Sequence, residues 1–267
     1  MLELYSRALT RLQNGGIRGL AVGTRQFLNY KLRPYYWQIR HLSSNETITI
    51  STNDIEVEFV TKNWRETKRW ETLMGEREVL ETLVSEVRSD DTVWDIGGSW
   101  GMFTTPLAAT GADVSVFEPV PDRANKIKRN LSQNDLSATI NQFALGAERK
   151  ELTVAIEGKN PGGLTESDGA IQTAVRPGDS VVNESRIEVP TVLKIDVEGA
   201  EVDVLKGLSQ ILARPECRLL VIEVHRDLLG QFRATESELY ELLDGFNVET
   251  LSQRNDENYH LIAKRET

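Results

Sequence analysis

From residue 92 onward, apolar positions along this chain alternate between two periods. Short runs rich in β-branched residues predict strands at 92–96, 112–118, 137–144, 190–196 and 218–224. Between them, apolar residues spaced three and four apart predict helices at 100–110, 121–133, 199–213 and 235–244. Two runs at 246–252 and 258–264 read as closing strands in a hairpin. This order predicts an α/β fold, a mostly parallel sheet with helices on both faces.

Upstream the pattern is different. Glu46–Ile50 and Ile55–Val60 alternate around the polar Ser51-Thr52-Asn53-Asp54, which predicts a hairpin. Trp70, Leu73, Met74, Leu80, Leu83, Val84 and Val87 predict one long helix over 65–88. Leu2, Tyr5, Leu9 and Leu12 give residues 1–42 an amphipathic helical reading, interrupted at Gly15-Gly16. A run dense in aromatics follows, from Phe27 to Trp37. The expected organisation is a helical N-terminal arm over 1–45 and a main domain over 46–267, divided into 46–90 and a core at 91–267. The segment 157–170, with Gly158, Pro161, Gly162, Gly163 and Gly169, is expected to be a lid or substrate loop.

Composition narrows the class. With 267 residues, 39% hydrophobic and 27% charged, the chain can bury a sizeable core. No apolar run reaches the roughly 18 residues of a membrane span. Met1-Leu2-Glu3-Leu4 is not a secretory leader, and the single cysteine, Cys217, reads as packing, so a cytoplasmic protein is expected. The net charge of −10 is unevenly spread: residues 1–40 carry +6 and the remainder −16. The acidic body disfavours nucleic acid as a partner. Two readings of the basic arm stand: a helix docked on the body or on a second subunit, as in a homodimer, or a peripheral contact at the inner face of a membrane. The spread of the arginines favours the first.

The chemistry gathers at strand ends. Asp95, Gly97 and Gly101 form D-x-G-x-x-x-G in Val93-Trp94-Asp95-Ile96-Gly97-Gly98-Ser99-Trp100-Gly101. Strand, glycine turn and helix make a nucleotide-sized crevice, but a dinucleotide fingerprint requires glycine where Asp95 stands. An acid facing the turn suits the cationic S-adenosylmethionine. The following strand ends in Glu118, 17 positions past Gly101, where a carboxylate can accept both ribose hydroxyls; a helix-capping role is the alternative. Phe143 and Ala144 suit an adenine border or ordinary strand-end packing. In Val192-Leu193-Lys194-Ile195-Asp196-Val197-Glu198-Gly199-Ala200-Glu201 an apolar strand delivers Asp196, a charge that needs a partner or the cleft. Glu198 and Glu201, near a helix N-terminus, also fit a structural role. Leu219-Leu220-Val221-Ile222-Glu223-Val224-His225 repeats the device, and His225 is the best placed of three histidines to be a general base, although strand-end histidines are also structural. Asp196, Glu198 and His225 can also ligate a divalent cation. No close local ligand spacing supports one, and no metal is assigned.

These segments resemble the FkbM family of S-adenosylmethionine-dependent methyltransferases. The resemblance rests on the glycine turn, Phe117-Glu118-Pro119-Val120-Pro121, Ala144-Leu145-Gly146, Leu193–Val202 and Glu223-Val224-His225, and covers roughly residues 76–264. The family usually has Ala-Asn-Ile between the motif glycines, where this chain has Gly98-Ser99-Trp100. The resemblance implies a class I, Rossmann-like methyltransferase fold, seven strands with the last antiparallel. Asp95, Gly97, Gly98, Ser99, Gly101, Glu118, Pro119, Phe143, Ala144 and Asp196 are the candidate cofactor contacts, and His225 and Asp196 the candidate catalytic residues. The expected reaction is methyl transfer to an oxygen, hydroxyl or carboxylate, of a sugar, glycan (lipid-linked ones included) or small metabolite. The alternatives are a nucleotide- or glycan-binding protein that retains the fold, and an NAD(P)-dependent oxidoreductase.

Overall fold

The computed structural model describes residues 32–44, 46–155, 170–185, 187–255 and 257–265. The expected helices before residue 31 and most of the expected 157–170 loop lie outside them. Two compact units are present: Met1–Ile48 with Val60–Thr72, and Thr49–Phe59 with Leu73–Thr267.

Helix α1 covers 32–42, and the expected hairpin follows as β1 (Thr47–Thr52) and β2 (Ile55–Val60). The single helix expected over 65–88 is two, α2 (Trp64–Thr72) and α3 (Arg77–Glu86). Leu73, Met74 and Gly75 between them all have positive φ, at 45°, 51° and 89°, which no continuous α-helix allows.

The α/β order then runs β3 (Thr92–Ile96), α4 (Thr104–Ala109), β4 (Asp113–Phe117), α5 (Pro121–Gln133) and β5 (Thr139–Asn141). The strand expected over 137–144 stops at Asn141. Ala144–Leu145 forms β6 in a separate three-stranded sheet with β7 (Lys150–Ala155) and β8 (Ala170–Arg176). Helix α6 (Gly178–Ser185) leads to β9 (Val192–Ile195). The helix expected over 199–213 divides into α7 (Glu201–Lys206) and α8 (Ser209–Leu212). Gly207 marks the break, where a side chain would stand 2.0 Å from the Gly146 carbonyl oxygen. The chain ends with β10 (Leu219–His225), α9 (Arg226–Leu229), α10 (Glu236–Leu242), β11 (Asn247–Gln253) and β12 (Asn258–Lys264).

The central sheet has seven strands in the order β11-β12-β10-β9-β3-β4-β5. β10, β9, β3, β4 and β5 are parallel, and β12 pairs antiparallel with both β10 and β11. This is the fold the family resemblance implies. Every residue of β3, β9 and β10 is buried, as strands covered on both faces require. Trp94, Leu193, Ile195, Leu220 and Ile222 belong to the core that seals them. At the amino edge, Asp91 accepts from Thr191 Oγ1 at 2.6 Å and forms an ion pair with Arg218, tying together the starts of three strands. At the carboxyl edge, Phe117, Ile96, Ile195 and Ile222 are in register. The next residues are Glu118, Gly97, Asp196 and Glu223, so one step past an apolar row the sheet presents its chemistry.

Candidate active site

The turn after β3 is built by close approach. Gly97 has φ +87°, and a Cβ there would sit 1.8 Å from the Asp196 carbonyl oxygen, so only glycine lets the turn pass β9. A Cβ on Gly98 would meet Val116 at 2.2 Å. Gly101 also has φ +87° but has ordinary space around it. Because Ser99 and Gly101 are both left-handed, α4 starts at Thr104 rather than at the expected 100. Trp100 turns toward α5. Lys126 Nζ lies 3.2 Å from its ring centroid, and Asn130 Nδ2 donates to its carbonyl at 2.9 Å.

Asp95 does not face the crevice as the sequence suggested. It is fully buried and accepts from Thr104 Oγ1 at 2.5 Å, with Lys194 Nζ 3.8 Å from its other oxygen. The cation it meets is a side chain beneath the turn, in β9. Lys194, also buried, donates to Asp196 Oδ2 at 3.2 Å and lies over the Phe103 ring. Burial alone would lower the Lys194 pKa, but Asp196, Asp95 and Glu76 outweigh it and hold the ammonium charged. Burial pushes the Asp95 carboxyl upward.

Glu118 is held by the backbone at two points. Its Oε2 accepts from Ser99 N and its Oε1 from Val120 N, both at 2.8 Å, so it ties the glycine turn to the start of α5. Each oxygen keeps a lone pair, and a ribose hydroxyl fits that remaining capacity. Burial raises its pKa. Pro119 is half-buried beside it. Phe143 packs edge-on against Phe117 with centroids 5.6 Å apart and carries Arg176 on its ring, while Ala144 pairs with Val175 in the smaller sheet.

At the ends of β9 and β10 the structure brings together residues that sequence spacing left apart. His225 is buried, and its Nδ1 lies 2.8 Å from Glu201 Oε1. Glu201 has no solvent exposure, and the same oxygen accepts from Gly199 N at 2.9 Å. Its place follows from the tight turn, because Glu198 and Gly199 have φ +52° and +99°. With Nδ1–H given to Glu201, Nε2 faces Glu198 at 3.5 Å, Glu223 at 3.7 Å and Asp196 at 4.0 Å. Burial disfavours charge on the ring. The hydrogen bond and charge of Glu201, with Asp196 and Glu198, outweigh it and raise the His225 pKa to about 9.

Glu223 joins this cluster to a second one. It accepts from Arg254 at 2.8 Å and lies 3.5 Å from His260 Nε2, its cross-strand partner on β12. Glu76 stands 3.4 Å from the same guanidinium. Despite burial, His260, His225 and Arg254 hold the Glu223 carboxyl down at about 2. Sequence reading missed Lys194, Glu76, Arg254 and His260 as partners. The available signal was a lysine inside an otherwise apolar strand.

Among the described residues, two groups have ligand atoms close enough for one cation, Asp196 with Glu198 and His225, and Glu76 with Glu223 and His260. Arg254 already supplies positive charge to the second.

The methyltransferase FkbM domain matches residues 95–255, more than half of the chain. The chain belongs to the FkbM methyltransferase family. It is 27% identical over 172 residues to the hexuronic acid methyltransferase AglP of Haloferax volcanii, covering 62% of this chain and 70% of that one. It is 28% identical over 224 residues to 31-O-demethyl-FK506 methyltransferase FkbM of Streptomyces tacrolimicus, covering 68% and 83%. The magnesium protoporphyrin IX methyltransferase of Synechocystis, solved with bound SAM, is similar at TM-score 0.44 and 15% identity, covering 76% of this chain and 82% of that one. As an FkbM-family member the chain is a methyltransferase.

Proposed function

We propose that this methyltransferase uses S-adenosylmethionine to methylate a hydroxyl of a sugar, glycan or other small metabolite. The observation that carries this reading is His225 at the carboxyl edge, its Nδ1 fixed by a buried carboxylate and its Nε2 4.0 Å from Asp196. That is the arrangement of an oriented general base. Asp196, Glu198, Glu201 and Glu223 surround the ring, and an acceptor carboxylate would add another negative charge among them. A neutral hydroxyl avoids that repulsion, and its oxygen needs the base that a carboxylate does not. The hexuronic acid of AglP supports a saccharide acceptor.

In this reading Glu118 accepts the ribose hydroxyls, the turn from Gly97 to Gly101 lies against the cofactor, and Pro119, Phe143 and Ala144 border its adenine. S-adenosylmethionine held there would supply an electrophilic methyl group for the acceptor oxygen. His225 Nε2 takes the hydroxyl proton, Glu201 keeps Nδ1–H in place, and Asp196 stabilises the imidazolium. Alignment by the site supplies most of the rate.

The test pairs calorimetry with product analysis. The purified chain should bind S-adenosylmethionine and not NAD, and should methylate members of a panel of sugars and glycans. The product should be a methyl ether, stable to mild alkali. Alkali-labile methyl ester would overturn the hydroxyl reading. Cofactor binding without turnover across the panel, unchanged in His225→Gln, would make the chain a binding protein.

A further inference from the structure

Helix α1 has two apolar faces, and only one of them is covered. Trp37 is buried, with Tyr36 edge-on to its ring at 5.0 Å. Leu32, Tyr35, Tyr36, Ile39 and Leu42 are 58, 64, 57, 68 and 82% exposed. At 100° per residue these five fall within an arc of about 120°, on the side away from Trp37. Five large apolar side chains on one exposed stripe are not the scattered surface hydrophobics of an ordinary domain.

The margins of the stripe and the local charge identify its occupant. Arg33 and Arg40 lie along one margin; Arg40 is held by Glu71 at 2.5 Å, and Arg33 is exposed. Over residues 1–40 the sequence carries +6, against −16 for the remainder. Two copies meeting through this helix would bring two +6 segments together. An eleven-residue helix also offers on the order of a few hundred Å², well short of the roughly 1,200–2,000 Å² of a stable interface. An anionic lipid surface matches both the charge and the shape. We infer that α1 lies along such a surface, with its apolar stripe among the acyl chains and its arginines at the head groups. Among the described residues no helix is long and apolar enough to cross a membrane, so α1 lies on the surface.

The test uses the full chain with two kinds of vesicle, phosphatidylcholine alone and equal parts phosphatidylcholine and phosphatidylglycerol. Co-sedimentation is expected with the anionic vesicles, weak with the neutral ones, and reduced by salt. Replacing Leu32, Tyr35 and Ile39 together by serine should lower anionic partitioning by about tenfold per side chain. The thermal midpoint and cofactor affinity should stay unchanged, since these side chains are exposed and outside the site. Equal partitioning of the two proteins overturns the inference, as does equal binding to both kinds of vesicle. So does a change of sedimentation coefficient in the variant without loss of vesicle binding, which would make the stripe a contact between copies.

Discussion

Replacing Glu201 by Gln isolates the interaction on which the catalytic reading depends. The amide is nearly isosteric, and its oxygen can still accept from Gly199 N and His225 Nδ1, so the ring keeps its tautomer. What disappears is the buried negative charge that leads the upward shift of His225 from 6.5 to about 9. A hydrogen bond to a charged group contributes about 1.5–3 kcal/mol, which corresponds to about 1–2 pH units. The wild-type rate should therefore climb about tenfold per pH unit and level off near pH 9, and in Glu201→Gln the plateau should begin about 1–2 units lower. Stability follows the opposite sign. The raised His225 pKa favours the folded state fully below about pH 6.5, by at most ~3 kcal/mol, and this is lost as pH rises through about 9. Urea unfolding across that window should show Glu201→Gln losing part of the acid-side advantage. The assays are kcat/KM against pH and direct NMR titration of the ring, assigned by its disappearance in His225→Gln. A limb that stays near pH 9 in Glu201→Gln refutes the assigned cause, and one that survives in His225→Gln refutes the base.

Four further outcomes follow from the site. Gly97→Ala should cost more than about 3 kcal/mol, because its Cβ would overlap the Asp196 carbonyl, whereas Gly101→Ala should cost only the roughly 1–2 kcal/mol of a left-handed residue; equal losses in urea unfolding would contradict the close-approach argument. Glu118→Gln turns an amide N–H₂ toward either Ser99 N–H or Val120 N–H, so calorimetry should show cofactor affinity falling by at least about tenfold, with about 1 kcal/mol of stability lost at the start of α5. Lys194→Met leaves Asp95 and Asp196 without their cation and should destabilise by about 3–5 kcal/mol; a near-neutral effect would mean that the carboxylates are satisfied some other way. Prior chelation should leave turnover intact, since an Nε2 that takes the acceptor proton is not a metal ligand; loss of activity restored by a divalent ion would give that place to a metal.

The sheet was legible in the sequence because strands covered on both faces must be apolar throughout, and β3, β9 and β10 are. Their ends were legible for the same reason: Asp196, Glu223 and His225 stand out as polar groups closing apolar runs. Helix boundaries were less so. The approach of Gly207 to Gly146 joins residues distant in sequence, and periodicity carries no record of it or of the positive φ at Leu73 and Met74. Local pattern thus determined the fold class, the family and the strand-end residues. Only the tertiary structure decided which charges meet. It sealed Asp95 beneath the turn on Lys194, set Glu201 behind His225, and brought His260 across to Glu223. These pairings depend on strand register and burial, which fix both the distance between charges and the solvent left to screen them.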